Sequence, residues 1–573
     1  MFKLDEFSEL CSMLHDKSGL EHLSQLLSGR GINHLVVSPG SRNAPVVTTL
    51  CSSPAMKCYT VVDERSAAFF ALGMAQQLQQ AVAVCCTSGS AVLNYAPALA
   101  EAYYQRIPLV VLTADRPAAW IDQGDGQTIR QHNVFGHFIR KSVSLPQHLV
   151  SKDDIWYYDR LISEALNAAV YPVAGPVHIN LPFAEPLYGF GITGTQPEKD
   201  IQLTGLQTFL PIKTLGQLAD EWNNAPKVMI LAGQMPADSS LNELLKSISH
   251  FNNTVVLTET TSNLNGEKFI GCIDRTLSAM KKDEVHIHQP NILITFGTAV
   301  VSKRIKDFLR KTPALQHWHI DPAELHMDTY QHLCHSIPMP AADFMQQLLP
   351  LLKPAAGNYA GMWHDTAAKA SSRHHTFLHQ AHWSDLKVFE TILNHLPDTF
   401  DLQLGNSTVI RYAQLFGWPA GFRFDANRGT SGIDGCTSTA SGAAVASGKP
   451  TLLITGDLAF FYDSNALWNK HLPANLRIIV INNGGGGIFR YLEGPEQTGL
   501  LEDFFEASHK LSAVKVAEAY GIRTAVADSE EQLISILPAF FSMNANSPML
   551  LEIITPAIIS AQTLRNYFKE LGN

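Results

Sequence analysis

From about residue 30 to 185 the chain alternates short β-branched runs with longer helical patterns. The runs are HLVVS, AVAVCCTS, PLVVLTAD and PVHINLPF, each followed by small or polar turn residues. A strand covered on both faces reads as a continuous apolar run. Such runs separated by helical crossovers predict a parallel sheet with helices packed on it. Residues 186–212 are rich in Gly, Pro, Thr and polar side chains and read as a linker. A second group of runs follows (KVMILAG, TVVLTET, NILITFG, HWHID) and ends near LLPLLKPAAGNYAGM, which reads as another connection. In the last part the strands expected are TLLITGD, RIIVINN and MLLEIIT, with helices between them. The prediction is an α/β protein of three consecutive domains with mainly parallel sheets, cut at 1–190, 205–355 and 370–573. No short-period repeat or low-complexity segment accompanies them.

Composition narrows the function. A chain of 573 residues exceeds what one hydrophobic core supports, in keeping with several domains. Apolar residues at 46% and charged residues at 16% belong to a globular chain and not to a disordered one. The net charge of −10, with no Lys/Arg run, argues against a sequence-independent grip on nucleic acid. The N-terminus MFKLDEFSEL mixes acidic and apolar residues unlike a secretory signal. No run reaches the about 18 apolar residues of a membrane span, so a cytoplasmic protein is expected. Eight cysteines at 11, 51, 58, 85, 86, 272, 334 and 436 share no repeated short spacing and read as free thiols. Cys85-Cys86 lies in an apolar strand, where neighbours point to opposite faces, and reads as structural.

The most informative segment is Gly456-Asp457-Leu458, followed after about two dozen residues by Asn482-Asn483-Gly484-Gly485-Gly486-Gly487. Each motif ends a predicted strand, and open parallel sheets bind ligands outside the carboxyl ends of their strands. A carboxylate, an amide oxygen and a loop carbonyl are hard donors suited to octahedral magnesium. The glycines are expected to let backbone amides approach a diphosphate. By spacing alone, a strand-end Asp and an Asn-Gly turn are ordinary structure. The glycines are not a nucleotide-hydrolase phosphate loop, since no Gly-Lys-Ser/Thr follows. In Ser447-Gly448-Lys449-Pro450, proline takes the hydroxyl position. Ser38-Pro39-Gly40-Ser41-Arg42 after the first strand is not a nicotinamide fingerprint.

Gly-Asp followed by Asn-Asn resembles the metal and diphosphate motif of thiamine-diphosphate enzymes, with Leu458 where most of that superfamily has a second glycine. Further segments occur in order: residues 37–43 (VSPGSRN), 63–67 (DERSA), 87–91 (TSGSA), 113–117 (TADRP), 427–435 (NRGTSGIDG) and 482–489. Together they resemble the menaquinone-pathway 2-succinyl-5-enolpyruvyl-6-hydroxy-3-cyclohexene-1-carboxylate synthases. The likeness spans the first and third domains and, in the middle one, mainly a lysine segment.

The resemblance implies the pyruvate-oxidase-like architecture of thiamine-diphosphate enzymes, and decarboxylation of 2-oxoglutarate followed by addition of its succinyl carbanion to isochorismate. It implies thiamine diphosphate with magnesium or manganese, held by the side chains of Asp457 and Asn483 and the carbonyl of Gly485. Glu64 would hydrogen-bond the aminopyrimidine ring; by position alone it opens a helix, where an acidic residue suits the dipole anyway. Gly432, Ile433, Ile488 and Phe489 would pack on the cofactor, although the three apolar ones equally suit a core. Both proposed substrates are dianions, and arginine bonds a carboxylate in two places. Arg411 and Arg428 would meet the succinyl carboxylate, with Ser407 one helical turn before Arg411. Ser41, Arg42, Arg116, Gln127 and Lys303 would surround isochorismate, and Glu64, Arg42, Ser407, Arg411 and Arg428 form the implied catalytic set. Gly126 stands where some members carry a polar side chain, so that contact is absent or made by backbone. The resemblance further implies a homo-oligomer, dimer or tetramer, with Glu64 of one chain facing Asp457 of another.

Two histidine clusters are set aside: His332, Cys334 and His335, and His374, His375, His379 and His382. Neither has the paired cysteines of a zinc site, and exposed or linker histidines are expected. Acetolactate synthases and 2-oxo acid decarboxylases act on uncharged or smaller acceptors, so the five cationic positions argue against them. A non-catalytic module would not need Glu64 together with the metal ligands.

Overall fold

The computed structural model describes residues 17–188, 198–313, 315–323, 326–491, 494–543 and 546–573. Cys11, the N-terminal segment and residues 189–197 of the expected linker lie outside them. Among the described residues eighteen strands form three six-stranded sheets. The first contains β1 (His34–Val37), β2 (Lys57–Thr60), β3 (Val82–Cys86), β4 (Leu109–Asp115), β5 (Lys141–Ser144) and β6 (Val177–Pro182), in the order β2-β1-β3-β4-β6-β5. The second contains β7 (Val228–Ala232), β8 (Thr254–Thr258), β9 (Phe269–Ile270), β10 (Ile292–Phe296), β11 (Gln316–Ile320) and β12 (Leu333–Ile337), ordered β12-β11-β10-β7-β8-β9. The third contains β13 (Asp401–Leu404), β14 (Phe424–Ala426), β15 (Thr451–Gly456), β16 (Leu476–Asn482), β17 (Arg523–Ala527) and β18 (Met549–Ile554), ordered β14-β13-β15-β16-β18-β17. Pairing is parallel in every register, for example Val36 with Tyr59 and Val84, or Val480 with Glu552. Three α/β sheets in series were expected, and three are present.

All eleven strands expected from apolar runs form. Seven others do not announce themselves, and six of these (β2, β5, β9, β12, β14, β17) are sheet edges. Along β2 no residue is buried, and β12 alternates half-buried with exposed positions until Ile337, which is buried. An edge strand has one neighbour and needs no continuous apolar run. The seventh, β13, is internal and fully buried, yet carries Asp401 and Gln403.

The pleat divides the first core. Leu35, Val37 and Cys85 enter one apolar cluster; Val36, Val84 and Cys86 enter the cluster on the other face. Cys85 and Cys86 are fully buried, as structural thiols should be. His374 corrects the expectation of exposed or linker histidines. It lies buried on the helix Tyr359–Gln380, its Nδ1 2.8 Å from the Tyr567 hydroxyl, and burial pushes it down to about 3. His375, His379 and His382 are exposed.

The chain forms two compact units. The first sheet belongs with Gly429–Gly448 and Tyr462–Leu476; the second and third sheets make up the other. Within the first unit the helix Glu64–Leu78 is buried from Ser66 to Gln76, because Cys436–Ser447 crosses it at contact distance. The crossing uses two glycines reciprocally. A Cβ on Gly73 would sit 1.9 Å from the Thr439 carbonyl oxygen, and one on Gly442 1.9 Å from that of Phe70. Neither carbonyl can retreat without parting the helices. Gly73→Ala or Gly442→Ala should cost about 2–3 kcal/mol and lower the unfolding temperature by about 4–12 °C. An unchanged melting curve in calorimetry would show that the crossing is loose.

Candidate functional site

At the carboxyl ends of β15 and β16 the polar groups converge. Asp457 follows β15 and is buried; its Oδ1 accepts from the Leu458 amide at 2.6 Å, and its Oδ2 from Gly484 and Gly485 at 2.9 and 3.0 Å. Burial pushes this carboxyl well above its usual range, opposed by those amides and by His509, whose Nε2 lies 3.4 Å away. Beside it, Asn483 donates through Nδ2 to Asp385 at 3.0 Å. Asp385 is itself fixed by Thr555 and Ser560. The Asn483 amide is therefore turned so that Oδ1 is left buried with no protein partner. An orphaned amide oxygen next to a carboxylate held in a costly environment is a donor set whose chemistry suits a hard cation.

The glycine loop corrects the expectation that its amides face a diphosphate. Gly484 and Gly485 donate to Asp457, Gly486 to the Glu506 carbonyl at 2.6 Å, and Gly487 to the Gly485 carbonyl at 2.9 Å. The glycines instead permit close packing: a Cβ on Gly485, at φ 151°, would meet the Glu506 carbonyl oxygen at 2.7 Å. Open space lies instead at Gly456, where an added Cβ would meet nothing within 4 Å. Glu506 anchors the following turn as well, accepting two hydrogen bonds from Arg490 at 2.5 Å. Ile488 and Phe489 in that turn are half-buried.

The neighbouring strand ends gather cations. Asn406 and Ser407 follow β13, and Asn427 and Arg428 follow β14. Asn406 joins them, donating to the Asn427 carbonyl at 2.6 Å and accepting from Arg428 Nη1 at 3.0 Å. Ser407 starts the helix Thr408–Ala413 at φ 68°, a left-handed conformation uncommon for a side-chain-bearing residue. Its carbonyl accepts from Arg411 at 2.5 Å. Burial lowers the Arg411 guanidinium, and Asp274 opposes that shift. Lys306 stands in the field of both Arg411 and Arg428, and Lys303 is exposed at the start of the same helix (Lys303–Arg310).

In the first unit a separate cluster forms at the ends of β1, β3 and β4. Ser41 is exposed, while Arg42 is buried, donating to the Phe183 carbonyl at 3.0 Å and pairing with Glu185 at 3.1 Å. Burial and the nearby Arg116 both lower Arg42. Arg116 donates to the Gly126 carbonyl at 3.0 Å and meets Asp125 at 3.2 Å. Gln127 adopts φ 55°, and its backbone lies 3.1 Å from where a Gly89 side chain would begin. Glu64 opens the helix Glu64–Leu78 half-exposed, behind Asp63, which caps it by accepting from Ser66 at 3.0 Å. Among the described residues no hydrogen bond or ion pair engages the Glu64 carboxylate. Gly432 and Ile433 lie in the loop before the crossing helix, with Ile433 exposed.

Three family models match the chain in order: the N-terminal binding domain of thiamine pyrophosphate enzymes over residues 17–134, their middle domain over 213–404, and their C-terminal binding domain over 405–553. A 2-succinyl-5-enolpyruvyl-6-hydroxy-3-cyclohexene-1-carboxylate synthase of Porphyromonas gingivalis is 43% identical over 96% of this chain and 97% of its own length. Proteins of the same name from Flavobacterium johnsoniae and Bacteroides thetaiotaomicron are 42% and 39% identical, each over 98% of this chain and 100% of their own. The chain belongs to the 2-succinyl-5-enolpyruvyl-6-hydroxy-3-cyclohexene-1-carboxylate synthase family. It is a thiamine-diphosphate-dependent synthase that forms a carbon–carbon bond.

As a member of that family, the synthase has residues that fit the cofactor's metal. Asn483 Oδ1 is free to coordinate, Asp457 supplies charge, and the Gly485 carbonyl keeps a second lone pair beyond its bond from Gly487. Asn406, Asp385, Glu506, His509, Glu259 and Asp274 escaped the sequence reading. Glu259 had a signal, since it ends the β8 run as Asp457 ends β15. Asp385 and Asp274, in the first turns of ordinary helices, had none.

Proposed function

We propose that this synthase decarboxylates 2-oxoglutarate and joins the remaining succinyl unit to isochorismate, releasing carbon dioxide and 2-succinyl-5-enolpyruvyl-6-hydroxy-3-cyclohexene-1-carboxylate in menaquinone biosynthesis. Thiamine diphosphate, with magnesium or manganese, supplies when bound the electron sink that loss of carbon dioxide from a 2-oxo acid requires. Asp457, Asn483 and the Gly485 carbonyl would hold the metal, residues 370–573 the diphosphate end and residues 1–190 the pyrimidine end. Glu64 would bond the aminopyrimidine, with Gly432, Ile433, Ile488 and Phe489 against the rings. Arg411 and Arg428 would take the succinyl carboxylate with Ser407 beside them; Ser41, Arg42, Arg116, Gln127 and Lys303 would take isochorismate. The reading includes a cytoplasmic homo-oligomer in which two chains complete each site. Among the described residues no helix is long and apolar enough to cross a membrane.

The observation that carries the substrate reading is the pair of guanidinium groups, Arg411 and Arg428, brought to adjacent strand ends beside the metal-ligand strand. Two partly desolvated cations favour a dianion over pyruvate. With thiamine diphosphate and magnesium, the purified protein should consume 2-oxoglutarate and isochorismate in equal amounts, and carbon dioxide release should depend on both. Consumption of pyruvate with isochorismate untouched would defeat the substrate assignment and leave the cofactor intact.

A further inference from the structure

Two acidic residues absent from the proposed substrate shell, one buried and one half-buried, support its cationic side. Glu259 follows β8 and is 3% exposed. Its Oε2 accepts from the Val301 amide at 2.6 Å and its Oε1 from the Ser302 amide at 2.8 Å. Two consecutive peptide units are thus fixed by one carboxylate, which sets the direction in which the chain leaves. Ser302 then caps the helix Lys303–Arg310, its Oγ accepting from Ile305 at 3.0 Å. The same hydroxyl donates to Asp274, in the first turn of the helix Ile273–Ser278.

Asp274 is shared. It accepts from Ser302 and lies in the fields of Arg304 and Arg411, from two separate helices. Lys306 donates to the Val300 carbonyl at 2.7 Å and faces Glu259, Arg411 and Arg428. A turn of this kind needs one neutral cap, for which Ser302 suffices. Placing a buried and a half-buried carboxylate beside it costs free energy that a purely structural turn has no reason to spend. Four cations converging on one edge do give a reason: without counter-charges they repel, and their geometry is set by that repulsion.

We propose that Glu259 and Asp274 are positioning residues for substrate binding: Glu259 fixes the Val301–Ser302 turn from which Lys303 projects, and Asp274 keeps Arg411 aligned with that turn. The inference rests on the assignment of Lys303 and Arg411 to the substrates in the preceding subsection. Burial raises Glu259 to about 7, while the two amides that its oxygens accept from oppose that shift and favour the ionised form.

Steady-state kinetics of the full-length holoenzyme test this, with KM and kcat separated for each substrate. Glu259→Gln turns an amide NH₂ toward a backbone N–H and should raise KM for isochorismate about tenfold, the worth of one charge-assisted hydrogen bond, with KM for 2-oxoglutarate changed less than about twofold. Asp274→Asn should raise KM for 2-oxoglutarate by about tenfold, and Asp274→Glu should recover part of the loss. Affinity for thiamine diphosphate, read by quenching of intrinsic fluorescence, should stay at the wild-type value in both. Ser302→Ala removes the shared hydroxyl while leaving both acids in place, and should raise both KM values; it decides the matter if the acid variants fail to fold. Unchanged KM values, or a fall in kcat alone, in the folded variants would overturn the clamp. A wild-type enzyme inactive on isochorismate would instead overturn the substrate reading and the proposal with it.

Discussion

Glu64→Gln is expected to lower turnover by about 10²–10⁴-fold, the range that a positioned proton-transfer group contributes, while leaving the fold intact. The substitution is nearly isosteric. Asp63, not Glu64, caps the helix by accepting from Ser66 and is held by Asn465 at 2.7 Å, so the helix start survives. The helix macrodipole loses an acidic residue in its first turn, worth less than about 1 kcal/mol at a half-exposed site. Among the described residues no donor engages this carboxylate, so it contributes little to stability. Glutamine keeps the size but cannot hold the negative charge that shifts an aminopyrimidine toward its imino form. Carbon dioxide release from 2-oxoglutarate gives the rate, and calorimetry gives the fold. A variant retaining more than a tenth of wild-type turnover would remove Glu64 from the chemistry.

The sequence made the sheets legible where strands are covered on both sides, and silent where they are not. PLVVLTAD and RIIVINN became β4 and β16 because both faces of each are packed. Lys57–Thr60 and Leu333–Ile337 lack such runs because one flank of each is open. At β13 the rule fails for another reason. Its buried polar side chains sit in a strand whose carboxyl end delivers Asn406 and Ser407, so apolar patterning is interrupted close to the place where function is built. The site divides similarly. The placement of Asp457 and Asn483 at neighbouring strand ends was legible because each directly follows or ends an apolar run. The groups that aim them were not, since Asp385 reaches Asn483 from 98 positions away. Nothing in the local sequence of a helix N-terminus distinguishes an orienting aspartate from a solvated one. The glycine loop shows the reverse error. Four glycines suggested amides offered to a phosphate, whereas Gly484 and Gly485 take positive φ and Gly485 and Gly486 pack closely against Glu506.

Asp457→Asn should separate the stability of the empty protein from its response to cofactor, moving the two in opposite directions. In the empty protein burial raises this carboxyl above its unfolded value. An acid raised in the folded state favours folding at low pH, and that contribution is lost as pH rises through the folded value. At neutral pH the empty wild type therefore carries the full cost of a buried charge, and the neutral amide relieves it. The side-chain oxygen of asparagine can still accept from Gly484 and Gly485, so the loop keeps its anchor, while the Leu458 N–H loses its acceptor at a cost of about 1–3 kcal/mol that offsets part of the relief. The empty variant should then unfold no lower than wild type. With thiamine diphosphate and magnesium the order reverses, because a hard divalent cation needs the charge that the variant lacks. Wild type at cofactor 100 times its dissociation constant should gain about 2.7 kcal/mol, and a variant weakened about 100-fold should gain roughly 0.4. Asp385→Asn, which only misaims Asn483, should fall between them, at about 10–100-fold weaker metal binding. Scanning calorimetry with and without magnesium reads all three. If Asp457→Asn keeps its full magnesium-dependent rise in unfolding temperature, the metal lies elsewhere; if the empty variant melts well below wild type, the carboxylate is a structural brace for the glycine loop.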